Sequence, residues 1–141
     1  MKRLTLLLSF VFFSLTILAQ EPGNNLGKTI PELKRAFPDL VEWGGQGELK
    51  HYKSPENEIL FRTKKGIVVI EHALFEGQNE YLRDLFNALV SSFSKGTNKL
   101  LWSGDKNSVS MFYSYFYVFI SYSPYRNVSI SYELYQDYWP K

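Results

Sequence analysis

Two histidines and no cysteines bound the chemistry available to this chain. His51 and His72 have no partner at metal-ligand spacing, and zinc would need both of them plus a distant carboxylate. They read as ordinary strand histidines. Glu71 precedes His72, but neighbours on a strand point to opposite faces, so the adjacency makes no dyad. The lack of cysteine removes thiolate zinc sites, Fe–S sites, a cysteine nucleophile and a lipid-anchored N-terminal cysteine. No glycine-rich phosphate loop, G-x-S-x-G or H-E-x-x-H occurs. Gly44, Gly45 and Gly47 read as a flexible loop around Trp43. Asn127-Val128-Ser129 matches a glycosylation triplet, a pattern that also arises by chance. No cofactor and no metal are expected. The enzyme alternative left open is a hydrolase that uses Glu or Asp with His72 or His51.

The more informative constellation is aromatic. Residues 111–139 hold 12 of the 24 aromatic side chains, so recognition chemistry is sought there first. Side chains alternate faces along a strand. In the last strand, Val128, Ile130, Tyr132 and Leu134 are apolar, while Asn127, Ser129, Ser131 and Glu133 between them are polar. The even set therefore faces a core. A hairpin preserves this parity when Ile120 faces Ile130, Val118 faces Tyr132 and Phe116 faces Leu134. A one-residue slip would drive Ser129, Ser131 and Glu133 inward. The register sets Tyr117 opposite Glu133 and Tyr115 opposite Tyr135. It predicts an outward row of Met111, Tyr113, Tyr115 and Tyr117, with Phe112 inward. Such a row serves either as cross-strand packing or as a contact surface, since tyrosine offers large area at low entropy cost. Trp102, Tyr113, Tyr115, Tyr117 and Tyr135 are the candidate binding residues.

Several elements must position these side chains. Thr29 followed by Glu32 is a capping box, with Pro31 in the first turn and Ile30, Leu33 and Phe37 on one face. Pro38 stops this helix. Strands are predicted over 48–53, 58–63 and 66–72, the last two joined by a turn in which Gly66 takes positive φ. Ile67 to Ile70 is apolar without alternation, as in a strand covered on both faces. A second helix spans 80–95, with Leu82, Leu85, Phe86, Leu89 and Phe93 as its apolar stripe, Asn79 as N-cap and Gly96 just past its end. Strands follow over 99–103, 108–122 and 128–135. The class is α+β: an antiparallel sheet with two helices packed on one face, arranged as helix then three strands, twice over.

The N-terminus reads as an export signal. Lys2 and Arg3 precede an uncharged apolar run from Leu4 to Ala19, and the chain turns polar at Gln20. That run is short for a spanning helix, so no membrane anchor is expected once it is removed. Domain bounds follow: 1–19 signal, 20–28 flexible leader, 29–141 a single α+β domain. The chain has 16 Lys and Arg against 14 Asp and Glu. Without Lys2 and Arg3 the two balance, and no basic face remains for nucleic acid.

Gly27-Lys28-Thr29, Glu32-Leu33, Phe37-Pro38, Ile59-Leu60-Phe61 and Gly66-Ile67-Val68-Val69 together resemble the opening of small exported domains. These include the beta-lactamase inhibitory protein fold and the small outer-membrane-assembly lipoproteins. The last strands, and a signal ending in Ala19-Gln20, are similar to secreted proteins of the Bacteroides group of bacteria. The resemblance covers about 45 residues. It implies helices on one face of an antiparallel sheet and a protein partner. The chain departs from those families in lacking the anchor cysteine and the inhibitor's disulfides, and in having Pro38 where a helix-ending glycine is usual. The expected function is an exported, periplasmic or secreted module that binds a protein or a glycan through its aromatic sheet face. A structural or assembly role in the cell envelope is the third reading.

Overall fold

Each helix is placed by a local signal and each strand by its pairing. In the computed structural model, which describes residues 25–94, 99–102 and 107–141, helix α1 spans Ile30–Ala36. The Glu32 carboxylate accepts the Thr29 N–H at 2.7 Å and the Thr29 hydroxyl at 2.8 Å, closing the first turn. Those hydrogen bonds hold the Glu32 carboxyl below its ordinary pKa. Helix α2 spans Asn79–Ser94 and buries Leu82, Leu85, Phe86 and Leu89 of the expected stripe, while the Phe93 side chain lies outside the described residues. Asn79, expected as the N-cap, is instead the first residue of the helix, and its Oδ1 accepts the Tyr125 N–H at 3.0 Å and the Tyr122 hydroxyl. The expected helix end at Gly96 and the export signal at 1–19 lie outside the described residues. Among the described residues no helix is long and apolar enough to cross a membrane.

Among the described residues, eight antiparallel strands form one sheet in the order β1-β2-β3-β4-β8-β7-β6-β5. They are β1 Val41–Gln46, β2 Leu49–Ser54, β3 Ile59–Lys64, β4 Ile67–Glu76, β5 Lys99–Trp102, β6 Ser108–Phe112, β7 Phe116–Ser123 and β8 Asn127–Leu134. The class is α+β, as the pattern of helices and strands predicts. Each half is a helix followed by a four-stranded meander, so the expected count of three strands per half is corrected to four. The last strands of the two halves, β4 and β8, meet at the centre of the sheet.

Two local features account for the extra strands. Gly44, Gly45 and Gly47 do not make an open loop: they lie within β1 and its turn into β2. Gly45 has φ +115°, and a Cβ there would sit 2.3 Å from the Leu49 carbonyl oxygen, so only glycine fits. The long strand expected over 108–122 breaks at Tyr113–Tyr115, where the chain reverses and β6 pairs with β7. The break inverts the parity of β6 against expectation. Val109 and Met111 are buried, while Phe112 stands beside Tyr117 with ring centroids 6.1 Å apart.

Directly paired residues share a face, and one row crosses six strands: Tyr52, Phe61, Glu71, Tyr132, Val118 and Met111. From Phe61 to Met111 every member is buried. Around this row lie two apolar clusters. Leu33 of α1 packs with Leu40, Phe61 and Val68; the α2 stripe packs with Val69, Val109, Met111, Val118, Ile120, Val128 and Ile130. The unalternating run 67–70 has a specific cause. Arg62 pairs with Ile70 and Thr63 with Val68, so Val69 is a bulge residue, and Val68 and Val69 are both fully buried.

Residues 25–28, within the expected leader, lie against the start of β4. The Gly27 N–H donates to the Val68 carbonyl at 2.8 Å, and the Val68 N–H donates to the Lys28 carbonyl at 2.9 Å. Asn25 Nδ2 donates to Glu71 Oε1 at 3.0 Å. Glu71 Oε2 is buried and has no hydrogen-bond partner, and burial raises the pKa of this carboxyl.

Candidate functional site

The face opposite the buried row carries the site. Its central row is His51, Arg62, Ile70, Glu133, Tyr117 and Phe112, each directly paired with the next across β2, β3, β4, β8, β7 and β6. The adjoining row is Lys53, Leu60, His72, Ser131, Phe119 and Ser110. Between them the sheet holds an open depression of about 430 Å³, lined by Trp43, His51, Leu60, Phe61, Arg62, Ile70, His72, Ser131 and Glu133. A second depression of about 490 Å³ adjoins it at His51 and Arg62 and runs to Leu49, Gln46 and Gly45.

Trp43 owes its place to a bulge. Glu42 pairs with Tyr52 and Gly44 with His51, which leaves Trp43 as the extra residue on β1. The residue is 53% exposed, and its indole lies 6.1 Å from the His51 ring and has the Lys53 ammonium 5.8 Å from its centroid. Sequence reasoning read this tryptophan as a loop residue. The signal that could have found it is the run Trp43-Gly44-Gly45, since glycine inside a strand marks a bulge or a close backbone approach.

Arg62 Nε donates to His51 Nε2 at 3.2 Å. His51 Nε2 is therefore the acceptor, and the proton of the neutral ring sits on Nδ1. His72 Nδ1 lies 2.6 Å from Ser131 Oγ. Burial lowers the pKa of His72, so the imidazole is uncharged at neutral pH. Tyr117 donates its hydroxyl to Glu133 at 2.6 Å, and burial together with that carboxylate raises the phenol's pKa. Glu71, one residue from His72, is on the buried face, as strand alternation requires.

The five residues chosen from the sequence divide. Tyr117 and Tyr135 are neighbours, ring centroids 6.0 Å apart, with Tyr117 on the outer face. Tyr115 lies in the β6–β7 turn and is 49% exposed, its ring edge-on to Tyr138 at 6.4 Å. Tyr113 is corrected from the outward row: it stacks on Phe116 at 4.6 Å and packs against the larger core cluster. Its carbonyl accepts the Tyr135 hydroxyl at 2.9 Å. The Trp102 side chain lies outside the described residues. The tyrosines thus form one end of the outer face, while the depression lies toward β1–β4 and brings His51 and His72 to a single hollow.

The arrangement offers an aromatic wall, an aliphatic floor of Leu60 and Ile70, an arginine, a neutral histidine beside a hydroxyl, and a carboxylate. These groups can bind a polar ligand in several directions at once. Among the described residues no three His, Asp or Glu side chains stand close enough to hold a metal ion. Comparison of the chain with protein-family models, with curated proteins and with solved structures finds no match.

Proposed function

We propose that the protein is an exported binding module that takes its ligand on the outer sheet face, seated in the depression between Trp43 and Glu133. The observation that carries this reading is the half-exposed indole of Trp43, set by a bulge over a hollow lined with His51, Arg62, His72, Ser131 and Glu133. Polar groups converge there from four strands, β2, β3, β4 and β8. A face that served only to shed water would need no such convergence. Tyr117, Tyr135 and Phe112 extend the same face beyond Glu133 and add contact area for a longer ligand. The resemblance to small exported domains that bind proteins supports a binding role of this general kind.

Backbone amide shifts followed by NMR during titration with a panel of purified glycans and peptides test the reading. A ligand should move the resonances of Trp43, Arg62, Ile70, His72 and Glu133 and leave those of α2 in place. Saturable binding that maps elsewhere, or none across the panel, would overturn it.

A second reading has one observation behind it. His72 and Glu133 line a single depression, so a base and a carboxylate share a hollow, as a hydrolase would need. Release of product from a bound glycan or peptide, lost in His72→Ala, would establish it. Binding without turnover would exclude it.

A further inference from the structure

The ligand class can be narrowed from the charges that face the depression, and this step rests on the binding reading above. Arg62 is held at one end only. Its Nε is taken by His51, while neither terminal nitrogen has a hydrogen-bond or ion-pair partner among the described residues. An arginine anchored through Nε and open at its terminal nitrogens presents a fork suited to a carboxylate. A second cation, Lys53, lies over the Trp43 ring beside it, with no carboxylate partner among the described residues. Glu133 stands two strands from Arg62 with Ile70 between them, roughly 9–10 Å away by strand spacing. The hollow is therefore cationic at its Trp43 end and anionic at its Glu133 end.

Several of these groups also suit hydroxyls. Glu133 accepts from Tyr117 and has further acceptor capacity; His72 and Ser131 are paired at 2.6 Å and face the hollow together. Of the exposed large hydrophobics among the described residues, Trp43 and Leu60 line the depression. The second depression continues past Arg62 along β1 and β2, which gives a track longer than one ring.

We infer that the ligand is an acidic oligosaccharide of the uronic-acid type. One sugar lies against Trp43 with its carboxylate on Arg62, and neighbouring hydroxyls reach His72, Ser131 and Glu133. Lys53 adds long-range attraction that salt screens. The adjoining depression takes the next sugar in the chain.

The test is calorimetric titration of the purified protein with a tetragalacturonate and with the same tetrasaccharide after its carboxylates are reduced to alcohols. Wild type should bind the acid form, and reduction should weaken binding about tenfold or more, the scale of one lost charge-assisted hydrogen bond. Arg62→Gln should weaken the acid form by the same factor and leave the reduced form unchanged, with an unaltered Tm. Trp43→Ala should weaken both. Equal binding of the two forms, or an Arg62→Gln variant that binds the acid form like wild type, overturns the acidic-sugar assignment and leaves the binding module standing. Failure of both sugars while a purified acidic peptide binds and shifts Ile70 and His72 also overturns it, in favour of a protein ligand. Failure of sugars and peptides alike overturns both readings.

Discussion

Tyr117 donates its hydroxyl to the Glu133 carboxylate at 2.6 Å, directly across the β7–β8 pair. The bond joins the tyrosine end of the outer face to the depression. It also holds a carboxylate in place on a half-buried surface. Tyr117→Phe removes the donor and keeps the ring. The expected cost is about 1–2 kcal/mol of stability, because the bond is charge-assisted but only partly screened from water. Urea unfolding of Tyr117→Phe, Glu133→Gln and the double variant measures the coupling. A double variant whose loss equals the sum of the singles would show that the bond contributes nothing.

Glu71 supplies a stability test with a defined sign. Burial raises its pKa, so the folded chain holds the proton more firmly than the unfolded chain does. Its contribution is complete below the unfolded carboxylate range and is lost as pH rises through the raised folded value. Glu71→Gln cannot ionise. The stability of this variant relative to wild type should therefore climb as pH rises above 4.5, the ordinary glutamate value. A difference that stays flat with pH would contradict the raised pKa.

His72 should titrate below 6.5, the ordinary imidazole value, because burial disfavours its charged form. Its folded pKa is depressed, so its contribution to stability is present above the unfolded pKa and is lost as pH falls through the folded one. NMR of the ring carbon protons gives the value directly. Replacing Ser131 by Ala removes the partner at Nδ1 and should cost about 1 kcal/mol. A His72 pKa at or above 6.5 would mean that the ring is more open to water than its packing indicates.

Gly45→Ala tests how β1 is held. The added Cβ would meet the Leu49 carbonyl oxygen at 2.3 Å, and φ of +115° is strained for any L side chain. A loss of about 1–3 kcal/mol is expected. β1 should also lift from β2 and carry Trp43 away from His51. Increased hydrogen exchange confined to β1 and β2 would be the signature. Gly47→Ala, where a Cβ meets nothing within 4 Å, separates φ strain from collision.

Much of the scaffold was legible in the residue pattern, and the reason is local. The α2 stripe and the Thr29–Glu32 cap each depend on residues a few positions apart. The β7–β8 register followed from the clean alternation over 127–134, and Ile120–Ile130, Val118–Tyr132 and Phe116–Leu134 pair as that alternation predicts. Parity failed at Tyr113–Tyr115, where three aromatic or small polar residues give no turn signal, so β6 and β7 read as one strand. It failed again at Trp43 and Val69, because a bulge adds one residue to one strand and only the partner strand reveals it.

The sequence by itself determined an α+β chain with two amphipathic helices, strands of known parity near its end and no thiol chemistry. Only the tertiary structure decided that β4 and β8 lie side by side at the centre of the sheet. That pairing puts Ser131 against His72 and Glu133 beside Ile70, two strands from Arg62. Periodicity says which face a side chain takes but not which strand becomes its neighbour. The neighbour is set by long-range strand pairing, and the depression is lined by residues that this pairing brings together.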